Sequence, residues 1–289
     1  MEVGFTGYAI EQENQDYLRS QQVDAVMLMM GELPVRVDPR LSPLYGKGWL
    51  KTEDQQQQGS CEGNSLTECL EYCYPISTGG KVEQFSRQYA YIRSQMFSGP
   101  SGIRGDHGAT LEGGTKAAKE GICLESVGPY MGDNYPGWAY ITPERKANAS
   151  QYRLESITEI KSAEHYKQYL GSGVGCVQIG MNWNSYLQQT EDGFILDFKP
   201  TRFDGGHAVG LIGYITDEDA GRKSSAGWWA LLKNSHSNRY AKKGWAYVDP
   251  RALDKMIAHQ NTSCYGRSDL KVPNYRPLPV DWTKESFLG

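Results

Sequence analysis

Helix-type sequence patterns occupy the first half of the chain, and strand-type patterns dominate the second half. Apolar residues at helical spacing predict helices over residues 61–72, 86–96, 111–120 and 163–170. Short apolar runs between glycines and polar clusters predict strands over residues 174–179, 208–215, 228–232 and 244–248. Ser60 is placed to cap the first helix, and Gly121 to end the third. Helices that precede strands, instead of alternating with them, favour an α+β fold with two lobes.

The change of pattern divides the chain into four parts. Residues 1–32 form an N-terminal extension, residues 33–150 a mainly helical lobe, residues 151–260 a β-rich lobe, and residues 261–289 an extended C-terminal tail that contains three prolines. A cleft between two lobes is a favoured place for a ligand site. We therefore expect the functional residues to come from both lobes.

Charge and composition exclude several classes of function. The 289 residues carry 30 Lys and Arg against 34 Asp and Glu, a net charge of -4, so no basic excess exists to neutralise the phosphates of a nucleic acid. The longest apolar run, residues 25–30, is too short to span a bilayer. We therefore expect neither a nucleic acid nor a membrane as partner. The first residues lack the basic and apolar segments of a signal peptide, which favours a cytoplasmic location.

The cysteines do not form a recognisable scaffold. Six of them occur, at positions 61, 69, 73, 123, 176 and 264. They are too few for a disulfide framework, and their spacings match no zinc-binding pattern. Without a secretion signal we expect reduced thiols, no metal site and no cofactor. At least one thiol then requires a chemical or a packing explanation.

The first candidate residue is Cys61, which follows Gly59 and Ser60 at the predicted first turn of a helix. Unpaired backbone N–H groups and the helix dipole lower the pKa of a thiol at such a position. Gly59 lets the chain turn sharply into the helix. Considered alone, Cys61 is better explained as a small, buried apolar residue at the start of a helix.

Two further candidates lie in the strand-rich half. His207 opens an apolar strand that contains several glycines, and Asn234 ends another apolar strand. Considered alone, His207 is explained as a hydrogen-bonded strand residue and Asn234 as a turn residue. The order cysteine, histidine, asparagine nevertheless meets the needs of nucleophilic acyl transfer, in which a thiolate attacks, an imidazole carries the proton and an amide oxygen orients the imidazole. Gln55, six residues before Cys61, would donate to the oxyanion together with the Cys61 backbone N–H.

This combination resembles the papain-like cysteine peptidases, especially their prokaryotic and viral relatives. In that family a glutamine lies six residues before the nucleophile, a Gly-Gly-His-Ala-Val sequence opens the histidine strand, and an Asn-Ser pair ends the next strand. The corresponding positions here are Gln55, residues 205–209 and residues 234–235. Other similar segments are residues 33–40, 85–91, 117–122 and 129–130, so the resemblance covers about residues 33–260.

The resemblance implies a helical left lobe, an antiparallel, barrel-like right lobe, and an active-site cleft between them. The nucleophile and the histidine would face each other across this cleft. It also implies that Gly108 pairs through its backbone with an extended substrate, while Ala109 and Gly206 shape the main specificity pocket. Gly59, beside the nucleophile, completes the expected substrate-binding residues.

The function expected from this resemblance is that of a cysteine-type peptidase, which hydrolyses peptide or isopeptide bonds of a polypeptide substrate. The alternative is a catalytically weak or inactive structural or binding protein on the same fold, for instance a phage virion component located in the virion. A shifted register, with Gln58 six residues before Asn64, would leave no nucleophile and would favour this alternative. Asp106 and His107 are expected to lie in an exposed polar loop rather than in a metal site.

Two residues depart from the family pattern. Glu62 follows the nucleophile where an uncharged residue is usual, and an inward-facing carboxylate would raise the pKa of the thiol. His236 replaces a tryptophan that usually shields the histidine–asparagine hydrogen bond. A protonated His236 beside His207 would reduce activity at mildly acidic pH. Alternatively, His236 points to solvent and a tryptophan such as Trp245 provides the shield.

The N-terminal extension is shorter than the folded prosegment that usually precedes these enzymes, so we expect no inhibited precursor. Its apolar stretch, residues 23–30, is expected to pack on the protein's own surface or on a partner rather than across the cleft. The extension and the C-terminal tail are the segments through which we expect any assembly with other proteins.

Overall fold

The computed structural model describes residues 7–9, 13–14, 17–18, 33–46, 50–184, 187, 192–199 and 205–275. Its α-helices are α1 (Cys61–Thr78), α2 (Arg87–Phe97), α3 (Leu111–Glu120), α4 (Pro143–Ala149), α5 (Ala163–Gly171), α6 (Asp217–Ala220) and α7 (Pro250–Ile257). Its strands are β1 (Arg153–Glu159), β2 (Gly175–Trp183), β3 (Phe194–Ile195), β4 (Gly205–Thr216), β5 (Trp228–Lys233), β6 (Trp245–Val248) and β7 (Ser263–Lys271). Within these described ranges, no helix has the length and apolar character needed to cross a membrane.

Helix α1 is the central element of the fold and is buried over nearly its whole length. It packs on α2 and α3 on one side and on β2, β4 and β7 on the other. It ends at Gly79, whose φ of 74° lies in the left-handed region that favours glycine. Because α1 lies where the helical and β-rich lobes meet, its first residue, Cys61, lies at the junction of the lobes.

The helices of the first lobe begin at local capping residues, with one exception. Ser86 and Thr110 cap α2 and α3, since their side-chain oxygens accept from backbone N–H groups of the first turn. Ser60, in contrast, makes no side-chain cap for α1. Its hydroxyl lies 2.6 Å from the Tyr130 hydroxyl instead. The predicted cap at Ser60 is therefore wrong, because a contact from a distant loop uses this hydroxyl.

The β-rich lobe is built on a seven-stranded sheet with the order β1-β7-β2-β4-β5-β6-β3. Neighbouring strands are antiparallel, apart from the parallel pair β3 and β6. The helical lobe followed by a β-rich lobe agrees with the predicted α+β class. Over the described residues, however, the sheet is mixed and open with β1 and β3 at its edges, rather than antiparallel and barrel-like.

The chain after residue 260 differs from the predicted tail. Ser263–Lys271 form β7, which lies between β1 and β2 inside the sheet. Polar side chains such as Arg267 and Ser268 are buried in this strand, so its sequence lacks the alternation that identifies a half-buried strand. Residues 276–289 of the predicted tail lie outside the described part of the chain.

A buried ion pair connects the two lobes behind the cleft. Lys233 Nζ, at the end of β5, lies 2.8 Å from Glu68 Oε1 of α1, and both side chains are almost fully buried. Burial lowers the pKa of Lys233, but the carboxylates of Glu68, Glu53 and Glu71 together outweigh burial and leave this pKa raised. Because Asn234 follows Lys233 directly, the ion pair fixes the position of Asn234 relative to α1.

Candidate active site

Cys61 is the first residue of α1, and its side chain is fully buried. The backbone N–H of Ala208, the residue after His207 in β4, donates to the Cys61 sulfur at 3.4 Å. Burial raises the pKa of Cys61 to about 12; the Ala208 N–H opposes this rise and Glu62 adds to it. The thiol is therefore protonated at neutral pH in this structure, and it requires exposure or an imidazolium partner to become a thiolate.

His207 and Asn234 are joined by a hydrogen bond between β4 and the end of β5. His207 Nε2 donates to Asn234 Oδ1 at 2.9 Å. His207 Nδ1 has no hydrogen-bond partner among the described residues, which leaves this nitrogen to exchange a proton with a thiol. Burial holds the pKa of His207 well below its usual value; His236 lowers it further, and the bond to Asn234 opposes both effects. The imidazole is therefore neutral in this structure.

His236 covers the His207 ring, at the place where the resemblance implies a tryptophan. The two imidazole rings stack with their centroids 4.5 Å apart and an interplanar angle of 24°. Trp183 of β2 contacts the same ring edge-on, at a centroid distance of 4.7 Å. The alternative of a solvent-facing His236 is therefore wrong. Burial lowers the pKa of His236 to about 4, although Asp54 opposes this shift, so the ring is neutral above pH 5.

Gln55, in the loop before Cys61, is held by the residue that follows Asn234. The Gln55 N–H donates to the Ser235 carbonyl at 2.8 Å, and the Ser235 hydroxyl donates to Gln55 Oε1 at 2.6 Å. This second bond orients the amide, whose Nε2 donates to the Gln58 carbonyl at 2.9 Å. Ser235 thus connects Gln55, the expected oxyanion donor, to the turn that contains Asn234, the residue expected to orient His207. In the shifted register the donor would be Gln58, whose amide instead bonds to Gln88 in the helical lobe.

Two side chains that the sequence analysis did not assign to the site, Tyr130 and Asp106, hold the loop before Cys61. The Tyr130 hydroxyl donates to the Gln55 carbonyl at 2.8 Å. Asp106 Oδ1 accepts from the Gly59 N–H at 2.9 Å. Asp106 is half-buried, whereas its neighbours Gly105 and His107 are exposed, as expected for a polar loop. Within the part of the chain that the structure describes, no group of three or more His, Cys, Asp or Glu side chains is arranged to hold a metal ion.

Glu62 lies in a buried space beneath α3. A Cβ at Gly114 would collide with Glu62 Oε1, so the glycine makes room for this carboxyl group. Burial raises the pKa of Glu62 to about 8, while Arg267 is among the groups that oppose the rise. Glu62 is therefore mostly protonated at neutral pH, and its electrostatic effect on the Cys61 thiol becomes strong only at alkaline pH.

The described part of the N-terminal extension, here called the arm, lies across residues of both lobes that the resemblance assigns to substrate binding. The Tyr8 N–H donates to the Gly206 carbonyl at 2.9 Å. Ala109 bonds to the arm twice, because its N–H donates to the Gly7 carbonyl at 2.9 Å and its carbonyl accepts from the Ala9 N–H at 3.0 Å. The cleft thus holds an extended backbone, at residues that the resemblance assigns to substrate binding. The apolar stretch 23–30 lies outside the described residues.

The three glycines of the expected binding set approach the arm closely, and a Cβ at Gly206 would collide with the Tyr8 carbonyl. A Cβ at Gly7 would collide with the Gly59 carbonyl, and a Cβ at Gly108, whose φ is +81°, would collide with the Gly7 carbonyl. The N–H and carbonyl of Gly108 already bond to side chains of α2. The backbone pairing expected of Gly108 is therefore made by Ala109 in this structure.

Side chains of the arm anchor it in the cleft. Tyr8 is only 4% exposed, and its hydroxyl lies 2.9 Å from Glu13 Oε2 and 3.0 Å from Ser263 Oγ. Glu13 accepts from the Leu111 and Glu112 N–H groups at the N-terminus of α3, at 2.7 Å each. Burial raises the pKa of Glu13 to about 6, and these backbone N–H groups oppose the rise.

The order of these elements along the chain matches one family. The sequence profile of the papain family cysteine proteases matches residues 33–265, which is more than half of the chain. The chain belongs to the papain family of cysteine proteases. The predicted family, the α+β two-lobed fold and the class of cysteine-type peptidase are confirmed by this match.

Solved structures of papain-like proteases share this fold at low sequence identity. Xylellain, a cysteine protease from Xylella fastidiosa, is 18% identical with a TM-score of 0.65 over 93% of this chain and 98% of its own. Digestive procathepsin L 3 of the Tenebrio molitor larval midgut is 18% identical with a TM-score of 0.64, over 90% of this chain and 77% of its own. Procathepsin B S9 from Trypanosoma congolense is 15% identical with a TM-score of 0.67, over 92% of this chain and 87% of its own. No curated protein matches the chain significantly.

Proposed function

We propose that this papain-family protease hydrolyses peptide bonds with Cys61 as nucleophile, His207 as proton carrier and Asn234 as the residue that orients His207. Gln55 donates to the oxyanion. The observation that carries the proposal is the meeting of β4 and α1, where Ala208 N–H contacts the Cys61 sulfur while the adjacent His207 is bonded to Asn234. These contacts support one catalytic site that combines a cysteine, an imidazole bonded to an asparagine, and an amide donor from three distant segments.

The proposed reaction proceeds through a thioester. Cys61 transfers its proton to His207 and attacks the substrate carbonyl carbon, and the negative charge on the carbonyl oxygen is stabilised by Gln55 Nε2 and the Cys61 N–H. The carbon–nitrogen bond then breaks, and His207 gives its proton to the leaving amine. A water molecule, deprotonated by His207, finally attacks the thioester and releases the acid and the free thiol. Peptide and isopeptide bonds share this amide chemistry.

The second candidate function is a catalytically weak or inactive structural or binding protein on the same fold. One observation favours it: Cys61 is fully buried, and burial raises the pKa of its thiol to about 12. The two candidates differ in what happens when the arm leaves the cleft. A peptidase gains a reactive thiol, whereas an inactive protein does not.

The test uses the full-length chain with Gly7→Ala and Tyr8→Ala, called here the arm-released chain. A methyl group at Gly7 collides with the Gly59 carbonyl, and Tyr8→Ala removes the side chain that anchors the arm. We expect a thiol-directed epoxide to label Cys61 of this chain much faster than the five other cysteines, as mapped by mass spectrometry. Those five buried thiols are internal controls within the same molecule.

Peptide hydrolysis by the same chain provides the second readout. Cys61→Ala should abolish hydrolysis, whereas Cys123→Ala, which removes a buried thiol elsewhere in the helical lobe, should not. Gln55→Ala should lower kcat by roughly 10²-fold with a smaller effect on KM, because its donor acts mainly in the transition state. Equal labelling of all six thiols together with no hydrolysis would favour the inactive protein.

A further inference from the structure

The Tyr8 side chain occupies a closed pocket in the β-rich side of the cleft. The ring is almost fully buried and belongs to one apolar cluster with Leu18 of the arm and with Cys61, Leu111, Ile157, Ala208 and Tyr265 of the cleft. Its backbone N–H is bonded to the Gly206 carbonyl. The resemblance assigns the surroundings of Gly206 to the main specificity pocket. The buried Tyr8 therefore indicates that this pocket accepts a tyrosine side chain.

Gly180 of β2 sets the size of the pocket. A Cβ at this position would lie 2.7 Å from Tyr8 Cζ, the ring carbon that bears the hydroxyl, and 2.7 Å from Leu111 Cδ1. Any larger residue would therefore occupy the space needed by the far end of a tyrosine ring. A valine or leucine side chain would leave this space unfilled and would bury less apolar surface.

Ser263 provides the polar end of the pocket. It pairs with Gly180 across β2 and β7, and its Oγ lies 3.0 Å from the Tyr8 hydroxyl. The other partner of this hydroxyl, Glu13, belongs to the arm and leaves the cleft with it. For a substrate in the open cleft, Ser263 is the pocket residue that meets a phenol hydroxyl.

We infer that this pocket selects tyrosine over phenylalanine and over aliphatic side chains of a polypeptide substrate, with Gly180 providing the room and Ser263 recognising the hydroxyl. The inference deepens the proposed function, because it names the substrate side chain of the same cleft. A phenylalanine side chain cannot form the hydrogen bond that joins the tyrosine hydroxyl to Ser263, so a pocket that makes this bond favours tyrosine. One neutral hydrogen bond corresponds to a preference of roughly 3- to 10-fold.

The test measures binding, so that it does not depend on catalysis. The protein is the arm-released chain with Cys61→Ala, and the probe is the capped peptide Thr-Gly-Tyr-Ala-Ile, compared with versions that carry Phe or Leu in place of Tyr. We expect calorimetric titration to give a dissociation constant for the tyrosine peptide that is roughly 3- to 10-fold lower than for the phenylalanine peptide. The leucine peptide should bind more weakly than both.

Two variants test whether Ser263 and Gly180 produce the preference for tyrosine. Ser263→Ala should bring the tyrosine and phenylalanine peptides to within about twofold of each other, because only the hydroxyl contact is removed. Gly180→Ala should weaken both aromatic peptides by roughly tenfold and reduce their advantage over the leucine peptide. Circular dichroism melting checks that each variant is folded.

The outcomes separate this inference from the proposed function. Phenylalanine binding as tightly as tyrosine, or a tyrosine preference that survives Ser263→Ala, would overturn the inference even if Cys61 is reactive. Failure of Cys61 to react in the labelling experiment would overturn the proposed function, whereas the selectivity of the pocket would still be measured by these titrations.

Discussion

At the scale of single residues, the environment of His207 distinguishes this protease from its family pattern. A tryptophan in the place of His236 would only exclude water from the His207–Asn234 bond. An imidazole at 4.5 Å also carries a proton at sufficiently low pH, and its charge would oppose an imidazolium at His207. Since burial lowers the pKa of His236 to about 4, the repulsion expected at mildly acidic pH is instead confined to lower pH.

His236→Phe tests this coupling, because phenylalanine keeps a flat ring over His207 and removes the titratable group. We expect the pH profiles of kcat/KM for the arm-released chain with and without His236→Phe to coincide above pH 5. Below pH 5 the variant should retain several-fold more activity, because the parent acquires a second positive charge beside His207.

The control for this experiment is a circular dichroism spectrum of both proteins at each pH, which separates loss of activity from unfolding. Profiles that already diverge between pH 6 and 7 would show that His236 titrates in its ordinary range. Profiles that coincide down to pH 4 would show that the two rings are not coupled.

At the scale of elements, the arm occupies the place that the proposed function assigns to a substrate backbone. It bonds to Ala109 in the helical lobe and to Gly206 in the β-rich lobe, and its Glu13 carboxylate caps α3. A segment of this kind competes with substrate, so we expect the arm to reduce the activity of the full-length protein. This replaces the expectation, made from the length of the extension, that no inhibited form exists.

Gly7→Ala alone tests the arm without changing the cleft. Its φ of +91° is strained for alanine, and the added methyl group collides with the Gly59 carbonyl, so the docked arm should be destabilised by about 1–2 kcal/mol. We expect kcat/KM of the full-length protein to rise by about tenfold.

Gly221→Ala is the matched control for this substitution. Gly221 also has a left-handed φ, of +66°, but a Cβ there would meet nothing within 4 Å. It should therefore leave the activity unchanged. An equal activity of Gly7→Ala and the wild type, with both proteins folded, would show that the arm does not compete with substrate.

At the scale of the whole molecule, buried ionisable groups connect the lobes and make stability depend on pH. Burial raises the pKa of Glu62 to about 8 in the folded protein, whereas an unfolded chain has the ordinary value of about 4.5. The folded state therefore binds more protons between these two values. Stability contributed by protonated Glu62 is fully present below pH 4.5 and is lost as the pH rises through 8.

Glu62→Gln should remove this pH dependence, because the amide mimics the protonated acid and cannot ionise. We expect the free energy of unfolding of the variant, relative to wild type, to increase by up to about 1.4 kcal/mol per pH unit between pH 4.5 and 8. Urea denaturation at pH 5, 6.5 and 8 measures the difference. Glu144→Gln, at an exposed position, is the control for the loss of one charge and should show no such trend. A constant difference for Glu62→Gln at all three pH values would contradict the raised pKa.

Local signals in the sequence were sufficient for several elements. Helix α3 spans Leu111–Glu120, as predicted, because a capping threonine, a terminal glycine and helical spacing all act within about a dozen residues. The strand that contains His207 and the strand that ends before Asn234 were also recognised from local signals, namely short apolar runs bounded by glycines and polar residues. The family itself was recognised mainly from three short segments, which contain Cys61, His207 and Asn234 and whose order is visible in the sequence.

The sequence by itself therefore determined the family, the α+β class and the residues proposed to carry the chemistry, since these depend on residue type and order along the chain. Only the tertiary structure decided that β7 lies inside the sheet, that His236 stacks on His207, and that Tyr8 fills the cleft. These features arise from contacts between residues far apart in the chain. Burial, which raises the pKa of Cys61 and lowers that of His207, is likewise produced by packing. No local pattern encodes how much solvent the remaining chain removes from a side chain, so these properties could not be predicted from the sequence.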